Sequence, residues 1–270
     1  MAAPRSLDLL DHDMVGRAVA GSATDLDEII TTLSKPFYNL ALRMLHGHHD
    51  AEDATQEALI RVATNLSSFR GESKFSTWAW TVATRSILDF QDGRARKAVL
   101  DAMEFTADLA DGMDTNPSDD PQAIAVLGQV KLGCGRAMLQ TLDGDQRVAY
   151  TLGEILELDQ TDAAEALGIS PAAYRKRLSR ARTQLNEVLT ASCGIADESN
   201  DCRCIKRRKP AIVRGRLESQ DAVPIDIPSL STMVQSIDDL GKVAAYFRVD
   251  PMASPSKRLL PAVRRVVHVS

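Results

Sequence analysis

Cys193, Cys202 and Cys204, spaced C-x8-C-x-C and followed by Lys206-Arg207-Arg208-Lys209, are the side chains of this 270-residue chain best suited to chemistry of their own. Clustered thiolates ligate zinc or exchange disulfides. Tetrahedral zinc wants a fourth ligand, and no further histidine or cysteine follows until His268, while Cys134 falls inside an apolar helical stretch as a small packing residue. His46, His48 and His49 sit in a glycine-containing turn without a carboxylate or cysteine in a known ligand pattern, so a solvated turn is expected there. There is no nucleotide-binding glycine loop, no Ser-His-Asp order and no metal-binding carboxylate cluster. The expectation is therefore no catalysis and no cofactor, with zinc at Cys193, Cys202 and Cys204 as the one exception to be weighed.

What remains is the chemistry of recognition, and three stretches carry it. From Ala51, the residues Ala54, Ala58, Val62, Leu66 and Phe69 recur at steps of three and four and form one helical stripe. Asp50, Asp53, Gln56 and Glu57 lie off it as an acidic face that suits a basic or amide-rich partner and would repel DNA. Past the Arg70-Gly71-Glu72-Ser73 turn, a helix starting near Ser76 carries Trp78 and Trp80, two residues apart, so one helix face cannot bury both equally. Phe69, Trp78 and Trp80 beside Arg70, Ser73, Lys74 and Arg85 offer stacking surfaces and phosphate contacts for an opened duplex, unless the aromatics are simply core. In the third stretch, Tyr174, Leu178, Ala181, Leu185 and Val188 form a buried stripe, leaving Arg175, Lys176, Ser179, Arg180 and Arg182 on a face suited to a DNA major groove.

The elements that must position these residues are helical nearly throughout, with no convincing strand alternation. A short helix from Asp25, capped by Thr24, should break at Pro36 and restart through Phe37; Asp50 should cap the acidic helix. Residues 98–120 hold seven acidic residues and no basic one, which suits either a solvated tether or an acidic segment with a partner. Asp120-Pro121 then opens a helix through Ile124, Leu127, Val130 and Leu139. Thr161–Leu167, the turn Gly168-Ile169-Ser170 and Pro171–Leu189 spell a helix-turn-helix. Leu230, Val234, Ile237, Leu240, Val243 and Phe247 mark an amphipathic helix in the last part of the chain, and Leu259–Val267 a shorter basic one. The net charge of −5 conceals this partition of acid and base between segments.

Two of these stretches resemble a known family. Ala51, Glu52, Asp53, Gln56, Glu57, Phe69, Arg70, Gly71, Phe75, Thr77, Trp78, Val82 and Ala83 resemble region two of the extracytoplasmic-function (ECF) sigma factors of bacterial RNA polymerase, and "ALGISPAAYRKRLSRARTQL" is similar to sigma region four. The resemblance implies an all-α fold of two small helical domains, a region-two bundle and a region-four helix-turn-helix, joined by an acidic linker and followed by a partly helical, Cys-containing basic extension. The boundaries expected are a tail at 1–23, region two at 24–97, linker at 98–120, region four at 121–192 and extension at 193–270. It further implies docking on core polymerase through the acidic face, minus-ten contacts from the aromatic-basic set, and minus-thirty-five contacts from Arg175, Lys176, Ser179, Arg180 and Arg182. Arg85 departs from the family, which commonly has Asn there, and the basic run after Phe90 is thin, with Arg94, Arg96 and Lys97.

RNA polymerase core and promoter DNA are the implied partners, an anti-sigma protein is a further one, and no small-molecule substrate is implied. The alternative is a stand-alone helix-turn-helix regulator, thiol- or metal-responsive. No apolar segment approaches the ~18 residues of a membrane span, and the N-terminus lacks a signal pattern, so a cytoplasmic location is expected.

Overall fold

In a computed structural model the described residues are 10–45, 47–93, 111–117, 126–213, 239–248 and 253–267, with a few positions between them. Every regular element among them is a helix. Arg94, Arg96, Lys97, the linker stretches 98–104 and 118–120, His46, Leu230, Val234, Ile237 and His268 lie outside the described residues. Two compact units are present, the first made of 2–97, 148–178 and 252–270 and the second of 98–147 and 179–251.

The first unit begins with α1 (His12–Val19), capped by the Asp11 carboxylate on the Met14 amide at 2.7 Å. Arg17 holds Asp25 through Nε and Nη2, and together with the Ser22 hydroxyl it keeps the Asp25 carboxyl below the usual carboxylate range. Helix α2 (Ala23–Met44) is capped by Ser22 rather than Thr24 and runs through Pro36 without a break. Proline in a helix interior costs about 3 kcal/mol, but Ile29, Ile30, Leu33, Phe37, Leu40 and Ala41 are fully buried on both sides of it, and that burial outweighs the missing hydrogen bond. Helix α3 (His48–Thr64) starts from Gly47, so Asp50 lies in the first turn, where it favours the helix dipole instead of capping. Ala51, Ala54, Ala58 and Val62 are fully buried along one side, and α3 packs on α2 and on α4 (Phe75–Gly93).

Later in the same unit, α7 (Gln160–Ala166) is capped by Asp159 on the Thr161 amide at 2.8 Å. Gly168 takes the left-handed conformation, φ 64°, that the tight turn requires. The Ser170 hydroxyl accepts from Ala173 N at 3.2 Å, opening α8 (Pro171–Ser192). The π-turn Thr151–Ile155 carries Gly153, where a Cβ would stand 2.1 Å from the Tyr174 hydroxyl; that hydroxyl donates to Ala149 O at 3.1 Å. Unit one ends with α11 (Leu259–Val267).

The second unit is built on α5 (Leu127–Leu139) and its C-terminal carbonyls. Arg147, within α6 (Gly144–Tyr150), is buried and donates to Leu139 O at 2.9 Å and Leu142 O at 2.8 Å; burial lowers its pKa to about 10. The acidic segment is not a simple solvated tether: Phe105 and Leu109 are buried, and Arg207 of α9 (Cys204–Val213) donates to Leu109 O at 2.7 Å and Asp111 O at 3.1 Å. Asp108 lies 3.9 Å from the same guanidinium and Asp114 lies 4.0 Å from Lys209, so the basic run 206–209 meets the acid of its own chain. Buried Lys131 donates to Tyr246 O of α10 (Asp239–Arg248) and stands 4.4 Å over the Tyr246 ring.

The Gly153–Tyr174 approach predicts that Gly153→Ala costs about 1–3 kcal/mol in denaturant unfolding. In a Tyr174→Phe background, where the clashing hydroxyl is gone, the same change should cost clearly less. Equal costs in the two backgrounds would remove Tyr174 as the reason for the glycine.

Candidate nucleic-acid and protein-docking interfaces

Helix α3 presents its acid as expected on the side away from the alanine stripe, but that side is not bare. Asp53 and Glu57 are each 42% exposed and locally paired, Asp53 with His49 at 3.1 Å and Glu57 with Arg61 at 2.5 Å. Arg61 also reaches Asp89 of α4 at 2.8 Å, which ties the acidic helix to the next one. Asp50, Glu52 and Gln56 are half-buried. These pairs orient the carboxylates while leaving net negative charge on the face.

The aromatic set divides. Trp80 is 3% exposed and packs at 5.4 Å, ring to ring, on Phe37 of α2, so it is a core residue and not a stacking platform. Trp78 and Phe69 are only partly buried and stand 5.7 Å apart, with fully buried Phe75 stacked on Trp78 at 5.5 Å. The two tryptophans differ because α4 turns about 200° over two residues, which sends one towards α2 and the other towards the loop. Arg70, Lys74 and Arg85 are exposed and Ser73 is half-buried beside them.

One contact at this site had no sequence signal. Asp162 of α7 accepts from Lys74 Nζ at 3.0 Å and from the Thr77 hydroxyl at 3.2 Å, and a Cβ on Gly168 would lie 3.6 Å from Arg85 Nη2. The first helix and turn of the helix-turn-helix therefore pack on α4 beside Lys74, Thr77 and Arg85. Lys74 is 68% exposed, so this ion pair is worth at most ~1 kcal/mol and parts easily.

On α8 the phase analysis holds: Tyr174, Leu178, Ala181, Leu185 and Val188 are buried, Arg175, Lys176, Ser179 and Arg180 are exposed, and Arg182 is half-buried. All five polar positions stand on one continuous helix, following a helix, a left-handed glycine and a serine cap.

In the second unit Cys134 joins the three cysteines singled out by spacing. Its thiolate and those of Cys193 and Cys202 would all repel a thiolate at Cys204. A Cβ on Gly194 would stand 2.2 Å from Cys202 O, which shows how tightly the two cysteine loops are pressed together. Burial first, then this repulsion, pushes the Cys202 thiol up to about 12 and the Cys204 thiol well above its ordinary value. All four are free thiols, and among the described residues no group of three His, Cys, Asp or Glu is placed to hold a metal ion.

An acidic helix, an aromatic-basic loop and a helix-turn-helix are thus the three candidate recognition features of this all-α chain. Residues 29–97 match Sigma-70 region 2 and residues 134–185 match Sigma-70, region 4. The chain is 30% identical over 164 residues to ECF RNA polymerase sigma factor SigE of Mycolicibacterium smegmatis, covering 60% of this chain and 61% of that protein. It is 26% identical to RNA polymerase sigma-H factor of Pseudomonas aeruginosa, over 66% of this chain and 93% of that one, and 26% identical to SigW of Bacillus subtilis, over 68% and 98%. The solved structure of CnrH in complex with the cytosolic domain of CnrY shares the fold, with a TM-score of 0.50 at 20% identity over 67% of this chain and 98% of that one. Regions 2 and 4 of the sigma-70 family are thus matched in order along the chain, and the relatives it is similar to include ECF sigma factors. Among its described residues no helix is long and apolar enough to cross a membrane.

The split between the tryptophans predicts that Trp80→Ala loses about 3–5 kcal/mol of stability. Trp78→Ala should cost distinctly less, and the remaining fluorescence of that variant should be blue-shifted, reporting the buried indole. Equal stability losses would mean that both rings are core.

Proposed function

We propose that this chain is the promoter-specificity subunit of a bacterial RNA polymerase. It docks on the core enzyme through Asp50, Glu52, Asp53, Gln56 and Glu57, and holds opened minus-ten DNA with Phe69, Arg70, Ser73, Lys74, Trp78 and Arg85. The minus-thirty-five element is read by Arg175, Lys176, Ser179, Arg180 and Arg182. The observation that supports this best is the joint presence of an acidic α3 face and an exposed basic α8 face, because a stand-alone regulator has no use for the first. Polymerase supplies the catalysis and the sigma chain performs none, working in the cytoplasm with promoter DNA and core enzyme as partners. An anti-sigma protein is a third partner class.

Run-off transcription with core polymerase and a promoter library tests the function: promoter-specific transcripts are expected, and duplex binding without them would favour the stand-alone regulator. Asp53→Lys with Glu57→Lys should weaken capture by core polymerase. Arg180→Ala should lose roughly 1–3 kcal/mol of discrimination at one upstream position, whereas a uniform loss over all sequences would make it a phosphate contact.

We further propose that the protein works without a resident cofactor and that Cys193, Cys202 and Cys204 stay packed and protonated. The pressed loops and mutual repulsion described above support this. Purified protein should carry well under one zinc per chain, and one equivalent lost on Cys202→Ser would reverse the reading.

A further inference from the structure

Residues 253–267 lie against α2 and α3, and the contacts are of three kinds. Asn39 pairs with the Ala253 backbone in both directions, Nδ2 donating to Ala253 O at 2.7 Å and Oδ1 accepting from Ala253 N at 3.0 Å. Ser256 N donates to Glu52 Oε1 at 2.7 Å, and Arg264 grips Asp27 with Nε at 2.5 Å and Nη2 at 2.9 Å. Between these anchors, Leu259 and Val263, one turn apart on α11, are buried at 3% and 0% exposure. Helix α11 packs chiefly on α3 and secondarily on α2.

The side of α3 that it meets is identifiable. Glu52, Thr55 and Leu59 follow at steps of three and four, so they share a face distinct from the alanine stripe. Glu52 on that face holds Ser256, and Thr55 and Leu59 are both fully buried although their face turns away from the stripe. The covering segment is also complementary in charge. Arg264 sits against Asp27 of α2, and Lys257, Arg258 and Arg265 are further basic residues exposed on the same segment, which lies along the acidic α3. A basic amphipathic helix on an acidic one is the arrangement that the docking face would offer a polymerase helix.

We infer that segment 253–267 is an intramolecular occupant of the polymerase-docking surface: it covers the Glu52 edge of α3 and must lift before core enzyme engages that edge. The inference rests on the docking role proposed for α3. Two seated apolar side chains and a few polar contacts, with Arg264 and Asp27 side chains 40% and 37% exposed, make a cover that a full protein interface can displace. Capture by core polymerase is then weakened by the ratio of covered to uncovered chain.

The test measures the Kd of full-length protein for core polymerase. Arg264→Glu breaks a half-exposed contact without touching the core and should tighten capture by about threefold or more, the size of such an ion pair. Val263→Asp should tighten it by roughly tenfold or more, because a buried charge expels the helix. Reversing the pair, Arg264→Asp with Asp27→Arg, should bring capture back towards the original value. Unchanged capture in Arg264→Glu and in folded Val263→Asp overturns the inference, and should Val263→Asp not fold, unchanged capture in Arg264→Glu alone does so. Adding Asp53→Lys and Glu57→Lys to Arg264→Glu keeps the two readings apart. Loss of capture there upholds docking through α3 whatever Arg264→Glu does alone, whereas full retention shows that the docking role itself is wrong.

Discussion

The alanine side of α3 is the constraint on which the first unit depends. Ala51, Ala54 and Ala58 carry only a methyl group and are fully buried, which lets α2 and α4 pack closely on α3, and α2 and α4 meet each other through Phe37 and Trp80. Because the alanines occupy one stripe and Thr55 and Leu59 a second buried face, the acid sits on the remaining side of the helix. A larger residue at fully buried Ala54 would have to displace a neighbouring helix. Because α4 carries both the core ring Trp80 and the partly buried Trp78, core packing also fixes where Trp78 stands. Arg61, bridging Glu57 and Asp89, repeats that coupling on the surface.

Period and capping made much of this legible. The α8 stripe, the glycine turn and the outward Arg175, Lys176, Ser179 and Arg180 follow from spacing alone, since a helix-turn-helix is specified by local rules. Local rules misplaced Pro36, Thr24 and Asp50 for one reason: each was weighed by intrinsic preference, while α2 and α3 are held by burial along most of their length. Trp80 was ambiguous because two aromatics at i and i+2 give no phase, and only Phe37 on another helix settles which is core. Asp162 against Lys74, Arg207 in the acidic segment and Cys134 beside the other cysteines join residues about 60 to 100 positions apart. No periodicity within one segment carries such information.

The charge distribution acquires its meaning from those long-range pairings. Taken segment by segment, acid at 101–120 and base at 206–209 look like two surfaces awaiting partners, yet Arg207 spends its guanidinium on Leu109, Asp111 and Asp108. The same holds in the other unit, where Arg264 answers Asp27 and the Ser256 amide answers Glu52. In both places residues following the helix-turn-helix satisfy acid that precedes it. A segment evolving merely as a solvated appendage has no reason to carry a buried arginine in one unit and a seated amphipathic helix in the other, because each imposes an ordering cost that only an intramolecular contact offsets. Acid and base that look like opposed surfaces along the sequence are thus partly matched within each unit, while α3 and α8 still carry acidic and basic side chains on their outward faces.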